Sequence, residues 1–282
     1  MRVLDVAQSL VDAVFVGAGK QGVRYQLPIS VVRLVQAAGI ETIYAEHLDR
    51  DGLFIGSSER SKIIVRGSHR NVHEYARQRF TLAHEVGHLL LSDPDVHAAT
   101  RAALGGEPID IESLCDAVAA ELLMPRKYVE RFAEEKESFD VLDQIVRETD
   151  VSLSAALVRL SIVLGWSSSL IYFQRRRRWA PIHIAAGRPI QRHNLRLAQG
   201  TVERLVRFSS EGPRYNEEVL ALRVYGSLRR IPGELRHSDA GALFFTRASL
   251  GPRTSAPSKS AAGSSANRVK EEGSGAPSTS FG

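Results

Sequence analysis

The alternation of apolar and polar residues in the N-terminal part of the chain predicts helices around a group of short strands. Apolar residues at helical spacing open the chain, and a second helix is expected between Pro28 and Gly39. Three β-rich pieces follow, "IETIY", "GLFI" and "KIIVR", separated by Asp-Gly and Gly-Ser turn signals. A long helix containing "RFTLAHEVGHLLL" should end before Asp93-Pro94, since a residue that precedes proline disfavours the helical conformation.

The C-terminal part predicts further helices, then strands, then a tail without structure. After a loop, "DIESLCDAVAAELLM" is typical of a helix, which Pro125 ends. Residues 139–165 predict two short helices around a tight turn, and the mixed pattern of 180–250 favours strands at "VLALRVY" and "ALFFTR". In the last 32 residues, 21 are Gly, Ala, Ser or Pro, so residues 251–282 are expected to be disordered.

Composition indicates a soluble protein of the cytoplasm. No apolar run approaches the roughly 18 residues that a membrane span needs. The first residues lack the layout of a signal peptide. Cys115 is the only cysteine, so no disulfide can form within the chain. We therefore expect a cytoplasmic location and no membrane partner.

Charge is distributed unevenly along the chain. Residues 1–170 carry a net charge of −6, residues 171–250 carry +9, and the tail adds +2 to reach the total of +5. Such asymmetry favours two domains that have different partners.

The long helix contains a metal-binding pattern. His84 and His88 are four residues apart, so a helix projects both imidazoles from one face. This H-E-x-x-H arrangement can place both rings on one Zn²⁺, with Glu85 beside the metal-bound water as a general base. The alternative is an apolar helix that happens to contain these residues. The apolar positions around the histidines and the Gly87 position, which permits close packing, favour the metal site.

A third zinc ligand is expected on the next helix. The longer pattern that ends in a third histidine is excluded, because Leu91 and Pro94 stand at its glycine and histidine positions. Glu112 and Asp116 are four residues apart and share a helix face, whereas Glu121 lies about 180° around the helix from Glu112. We interpret Glu112 as the ligand and Asp116 as the hydrogen-bond partner of a ligand histidine.

These two segments, "RFTLAHEVGHLLL" and "ESLCDAVAAELLMP", resemble the ImmA/IrrE metallopeptidase family over residues 25–130. The resemblance implies a zincin-like fold, Zn²⁺ on His84, His88 and Glu112, and Glu85 as the catalytic base. Asp116 stands where many members have Asn, a departure that still permits the hydrogen bond. The resemblance further implies cleavage of a helix-turn-helix (XRE-type) repressor, which releases stress-response or mobile-element genes.

Two further segments admit a functional and a structural interpretation. The helices of 139–165 resemble a helix-turn-helix, but their outward positions are mostly Ser and Ala, with Arg159 the only basic side chain, so a structural role is favoured. The run "QRRRRW" is typical either of a solvated charged segment or of a nucleic-acid contact. The residues of that contact would be Arg175, Arg176, Arg177 and Arg178.

Together these features predict an α+β protein with four parts. Residues 1–136 form the zincin-like metallopeptidase domain, 137–170 a helix-turn-helix-like segment, 171–250 a smaller mixed, basic C-terminal domain, and 251–282 the tail. Longer members of the family carry a GAF-like sensory domain in the region that corresponds to residues 171–250. The expected function is zinc-dependent endoproteolysis of a repressor. The alternatives are a DNA-binding regulator or a toxin–antitoxin partner that has this fold without peptidase activity.

Overall fold

The computed structural model describes most of the chain before position 251. The described residues are 2–56, 61–67, 72–106, 108–175, 179–185, 195–198, 201, 205, 215–225, 227–238, 241–247 and 250. Two compact units are Met1–Gly251 and Pro252–Gly282, and the second lies wholly outside the described residues. The disorder predicted for the tail therefore stays a prediction.

Eight α-helices occur among the described residues. They are α1 (Arg2–Gly19), α2 (Val31–Ala37), α3 (Val72–Leu91), α4 (Pro94–Ala103), α5 (Ile111–Leu123), α6 (Arg126–Val129), α7 (Phe139–Thr149) and α8 (Leu153–Leu164), and a short 3₁₀ turn (Glu130–Phe132) follows α6. None of the helices in the described part of the chain is long and apolar enough to span a membrane.

Helix α4 corrects the expectation of a loop after Asp93-Pro94. The Asp93 side chain accepts hydrogen bonds from the backbone N–H groups of Asp95 and Val96, and Pro94 occupies the first helical turn. Proline lacks the N–H that a first turn leaves unused, so the pair that ends one helix also begins the next. Asp110 caps α5 in the same way, by accepting from the Ser113 N–H.

The first sheet has three strands, β1 (Glu41–Ala45), β2 (Gly52–Ile55) and β3 (Lys62–Arg66). Their order is β1-β3-β2, with β1 parallel and β2 antiparallel to β3. Ile63 and Val65 of the central strand are buried. In the order β1-β3-β2, strand β2 is an edge strand, and no strand of the described residues pairs with its other side.

The second sheet has six strands, all antiparallel to their neighbours, in the order β5-β4-β9-β8-β7-β6. Their bounds are β4 (Ser169–Arg175), β5 (Trp179–Ala185), β6 (Leu195–Leu197), β7 (Tyr215–Val224), β8 (Ser227–Ser238) and β9 (Gly241–Thr246). The strands predicted at 219–225 and 242–247 fall in β7 and β9. With its helices and two sheets, the protein is α+β.

Strand β8 escaped prediction because Pro232 and Gly233 interrupt its sequence. The structure shows why glycine stands there. A Cβ at Gly233 would overlap the Phe245 carbonyl and would lie 2.6 Å from the Phe244 ring. The close approach of β9 therefore requires glycine at position 233, although glycine within a sequence is usually taken as a sign that a strand ends.

One hydrophobic core joins the helices to the near face of the six-stranded sheet. It runs from Ala7 of α1 through α3, α5 and α8 to Leu170 and Phe245 of the sheet. The Phe139 ring of α7 lies 5.3 Å from that of Phe245, centroid to centroid. A second core, which includes Ile171 and Leu222, lies on the opposite face of the same sheet.

The burial of Arg159 overturns its assignment as an outward-facing basic residue of α8. Its side chain is only 2% exposed, and its guanidinium pairs with the Glu121 carboxylate. Arg159 also donates to the Met124 carbonyl at 2.9 Å, and Glu121 accepts from the Arg126 backbone N–H at 2.9 Å. Helical spacing placed the charge on a surface because it cannot reveal a partner 38 residues away. Glu121, on the opposite side of α5 from Glu112, is also buried.

Removal of either member of this pair should destabilise the fold strongly. Glu121→Ala leaves the Arg159 guanidinium buried and unpaired, which costs about 3–5 kcal/mol of the free energy of unfolding. Urea denaturation measures the loss. Arg126→Ala is the control, since its exposed ion pairs with Asp5 and Glu130 contribute less than about 1 kcal/mol. Equal losses in the two variants would contradict the account of the pair.

Candidate metal centre

Helices α3 and α5 approach each other closely at Gly87. A Cβ at this position would lie 2.9 Å from both the Cα and the Sγ of Cys115 on α5, which is closer than real Cβ contacts come. Glycine at position 87 therefore lets the two helix backbones meet. The turns on either side of this contact carry the candidate ligands.

His84 and His88, both on α3, direct their rings to a common point beside the helix. Their Nε2 atoms are 3.1 Å apart, and both side chains are partly buried. Two nitrogens held at about 2.0–2.1 Å from a tetrahedral Zn²⁺ are themselves about 3.3 Å apart. The pair is thus arranged as two ligands of one ion would be.

The Glu112 carboxylate lies against both imidazoles. Its Oε2 is 3.3 Å from Nε2 of His84, and its Oε1 is 3.5 Å from Nε2 of His88. An oxygen and a nitrogen on one tetrahedral zinc are separated by about 3.4 Å. Glu112 begins the first turn of α5 and has a largely exposed side chain, so the centre opens to solvent on this side.

Asp116 holds the far side of the His84 ring. Its Oδ1 lies 2.8 Å from Nδ1 of His84, and this hydrogen bond is the main reason why the pKa of His84 is raised. With Nδ1 occupied by the carboxylate, the Nε2 lone pair is left for a metal ion. Glu112 and Asp116, one turn apart, thus act on one imidazole from two directions.

Cys115 is the other donor near the two histidines. Its Sγ lies within 4.8 Å of their nitrogens, so His84, His88 and Cys115 together could also hold a metal ion. The thiol is fully buried, and burial raises its pKa to about 12. The residue packs in the core, whereas the Glu112 carboxylate faces both imidazoles from the open side. We therefore favour Glu112 as the third ligand.

Glu85 is the one buried carboxylate beside the ligands in the described residues of α3. Its side chain points to strand β2, where it accepts a hydrogen bond from the Phe54 backbone N–H. A Cβ at Gly52 would lie 2.7 Å from Oε1 of Glu85 and 2.5 Å from Cγ2 of Thr81, so only glycine fits there. Burial raises the pKa of Glu85, because desolvation disfavours its charged form, although His88 and the Phe54 N–H act in the opposite direction.

An open cleft of about 620 Å³ lies over these side chains. Strand β2 contributes Gly52, Leu53 and Phe54 to its wall, and Arg50 and Arg77 also line it. Arg77 pairs with Asp51. Helical spacing gave no indication of this wall, because strand and helix meet only through tertiary packing.

Five of the site residues expected from the sequence come together: His84, Glu85, His88, Glu112 and Asp116. The other expected contact lies elsewhere. Arg175 ends strand β4, and Arg176, Arg177 and Arg178 lie outside the described residues. The nucleic-acid contact expected of this run stays a prediction.

A family profile matches the part of the chain that carries the centre. The profile of Peptidase M78, described as "IrrE N-terminal-like domain", matches residues 35–161, which include both helices of the centre. Residues 35–161, somewhat under half of the chain, are thus a domain of the ImmA/IrrE family. Its α3 and α5 are accordingly the two motif helices of an IrrE-like domain.

Two curated relatives share this region. The radiation response metalloprotease IrrE of Deinococcus radiodurans is 38% identical over 119 residues, which cover 40% of this chain and 34% of that protein. The protein of the same name from Deinococcus deserti is 34% identical over 130 residues, which cover 44% and 43%. The matches thus span between a third and a half of each relative's length.

A solved structure is also similar over a wider stretch. A Mycobacterium tuberculosis transcriptional regulator aligns with 87% of this chain and 79% of its own, at 12% identity and a TM-score of 0.45.

Zinc affinity should depend on Glu112 and, to a smaller extent, on Asp116. Glu112→Gln removes a charged ligand, and we expect a loss of about 100-fold or more. Asp116→Ala frees the His84 ring and should cost about 10–100-fold. Competition titration with a chromophoric chelator measures both. Asp95→Asn, an exposed acid of α4, should bind zinc as the unchanged protein does. Retained affinity in Glu112→Gln, together with lost affinity in Cys115→Ala, would show that the thiol is the third ligand.

Proposed function

We propose that this protein is a zinc-dependent endopeptidase of the cytoplasm. The observation that carries the proposal is the convergence of two imidazoles and one carboxylate at the floor of an open cleft, with a buried glutamate beside them. Three protein ligands with an open fourth position are the arrangement of catalytic rather than structural zinc sites. The names of the curated relatives support the same reaction class.

His84, His88 and Glu112 would hold the ion. When bound, Zn²⁺ polarises a peptide carbonyl and lowers the pKa of a coordinated water towards about 7. The donor set, two imidazoles and one carboxylate, suits this ion better than Mg²⁺ or Ca²⁺, which prefer all-oxygen sites.

Glu85 would act as the general base and then the general acid. Its carboxylate takes a proton from the attacking water and passes it to the amine that leaves. The carboxylate faces the Phe54 N–H of β2, and burial raises its pKa, which increases its tendency to take up the proton. A structural site would not need a buried carboxylate at this place, which favours catalysis over a purely binding role.

The free edge of β2 would hold the substrate. An extended peptide can add as a further strand to an unpaired edge, and β2 lies at the edge of its sheet and in the wall of the cleft. A peptide bound in this way would have its main chain above Glu85 and the histidines. A zincin-like fold of the helical domain accords with that arrangement.

The substrate we propose is a helix-turn-helix (XRE-type) repressor whose cleavage releases stress-response or mobile-element genes. Support for this comes from the family resemblance and from the words "radiation response" in the relatives' names. The basic part of the chain, 171–250, would then serve to sense or to recruit, as the GAF-like analogy suggests.

Cleavage should depend on Glu85 while zinc binding should not. Glu85→Gln removes the proton-transfer group and keeps its shape, so we expect cleavage of a co-encoded repressor to fall by about 10²–10⁴-fold. Zinc content, measured on the same sample, should be unchanged. Glu135→Gln, an exposed acid far along the sequence, is the matched control. Full activity in Glu85→Gln would contradict the role of Glu85 as the general base. Loss of zinc from this variant would show that Glu85 is a metal ligand instead.

A further inference from the structure

Three exposed arginines share one face of the six-stranded sheet. Arg196 of β6 lies directly opposite Arg223 of β7, and Arg230 of β8 lies opposite Ala221, two residues from Arg223. Side chains alternate between the faces of a sheet with a period of two, so all three arginines project on the same side. We call Arg196, Arg223 and Arg230 the arginine face.

The opposite side of these strands carries the apolar residues of the second core. The second hydrophobic core buries Leu195, Leu222, Val224 and Ile231. Their burial fixes which side chains of these strands face the core and which face outward. Further along, the face that carries the arginines packs on the helices through Leu170 and Phe245. The arginine face is therefore the part of this sheet surface that extends past the helical domain.

The three arginines differ from a fourth on this face, which has a carboxylate partner. Arg236, on the same face of β8, pairs with Asp143 of α7 at 2.5 Å. For the three arginines, no carboxylate contact occurs among the described residues. Like charges placed directly opposite on neighbouring strands destabilise a sheet. The pair Arg196–Arg223 is thus a cost to the fold that an external anion would relieve.

Apolar groups accompany the charges. Leu228 lies opposite Arg223 and is 59% exposed, and Tyr225 is exposed where the β7–β8 hairpin turns. Guanidinium groups recognise phosphate through paired N–H donors. A basic sheet surface with an exposed aromatic ring suits single-stranded nucleic acid, which offers phosphates to the arginines and bases to the ring. We propose that the arginine face binds the backbone of single-stranded nucleic acid.

This surface differs from the contact expected at Arg175–Arg178. Arg175 belongs to β4, whereas the arginine face belongs to β6, β7 and β8, so different strands carry the two candidate contacts. It also differs from the metal centre, so binding here neither requires peptidase activity nor follows from it.

The test is fluorescence anisotropy of the full chain with a labelled 20-nucleotide oligo-dT between 50 and 200 mM salt. The triple variant Arg196→Ser, Arg223→Ser, Arg230→Ser should lose three phosphate contacts. We expect the slope of log Kd against log salt to fall by about 2, since each contact on a single strand contributes about 0.7. The control is Arg24→Ser, Arg33→Ser, Arg147→Ser, which removes the same charge from exposed positions outside the sheet and should keep the slope.

Thermal unfolding shows whether the triple variant folds. It should melt no lower than the unchanged protein, because the variant removes a pair of opposed like charges. If the triple variant unfolds, the single variant Arg223→Ser should still lower the slope by about 0.7.

Four results would overturn the proposal. The first is no binding at 50 mM salt, and the second is an equal loss in the control. The third is a loss confined to Arg175–Arg178→Ser. The fourth is tighter binding of polyglutamate than of oligo-dT, which would assign the face to an acidic protein.

Discussion

The contact between Gly87 of α3 and Cys115 of α5 sets the distance on which the centre depends. All the candidate ligands come from these two helices, and none of the described loops contributes one. A side chain larger than hydrogen at position 87 would push against the Cys115 backbone and separate the imidazoles from Glu112. The chemistry of the cleft is therefore a consequence of helix packing, with the ligands projecting on either side of one close approach.

Other parts of the chain keep α5 in this position. Helix α1 packs along α5 within the main core. At the far end, Arg159 binds the Met124 carbonyl and the Glu121 carboxylate, so the last turn of α5 is tied to α8. The same helix thus uses one acid, Glu112, at its exposed start and another, Glu121, at its buried end. Their separation around the helix makes the two roles compatible.

Local patterns predicted what local geometry determines. The i, i+4 spacing of His84 and His88 places them on one face, and the same spacing does so for Glu112 and Asp116. The short strands around "IETIY", "GLFI" and "KIIVR" also followed from alternation and turn signals. Each of these features depends only on residues that are close to one another in the sequence. The structure brings these four side chains together, and their roles are those proposed above.

Features that depend on distant partners were not predicted. Helical spacing predicts a surface position for Arg159 because its partner lies on another helix. The pattern does not predict β8, because the glycine at position 233 is required by the close approach of β9. The wall that β2 forms over Glu85 depends on how a sheet docks against a helix. Asp93-Pro94 was ambiguous in a different way, since the same two residues end α3 and cap α4.

The central claim is that two imidazoles and a carboxylate hold zinc while the adjacent thiol stays out of its coordination shell. X-ray absorption at the zinc edge of the zinc-loaded protein tests it directly. The account predicts a first shell of nitrogen and oxygen at about 2.0–2.2 Å, with the outer-ring scattering of two histidines. A sulfur scatterer at about 2.3 Å would place Cys115 on the metal and contradict the account.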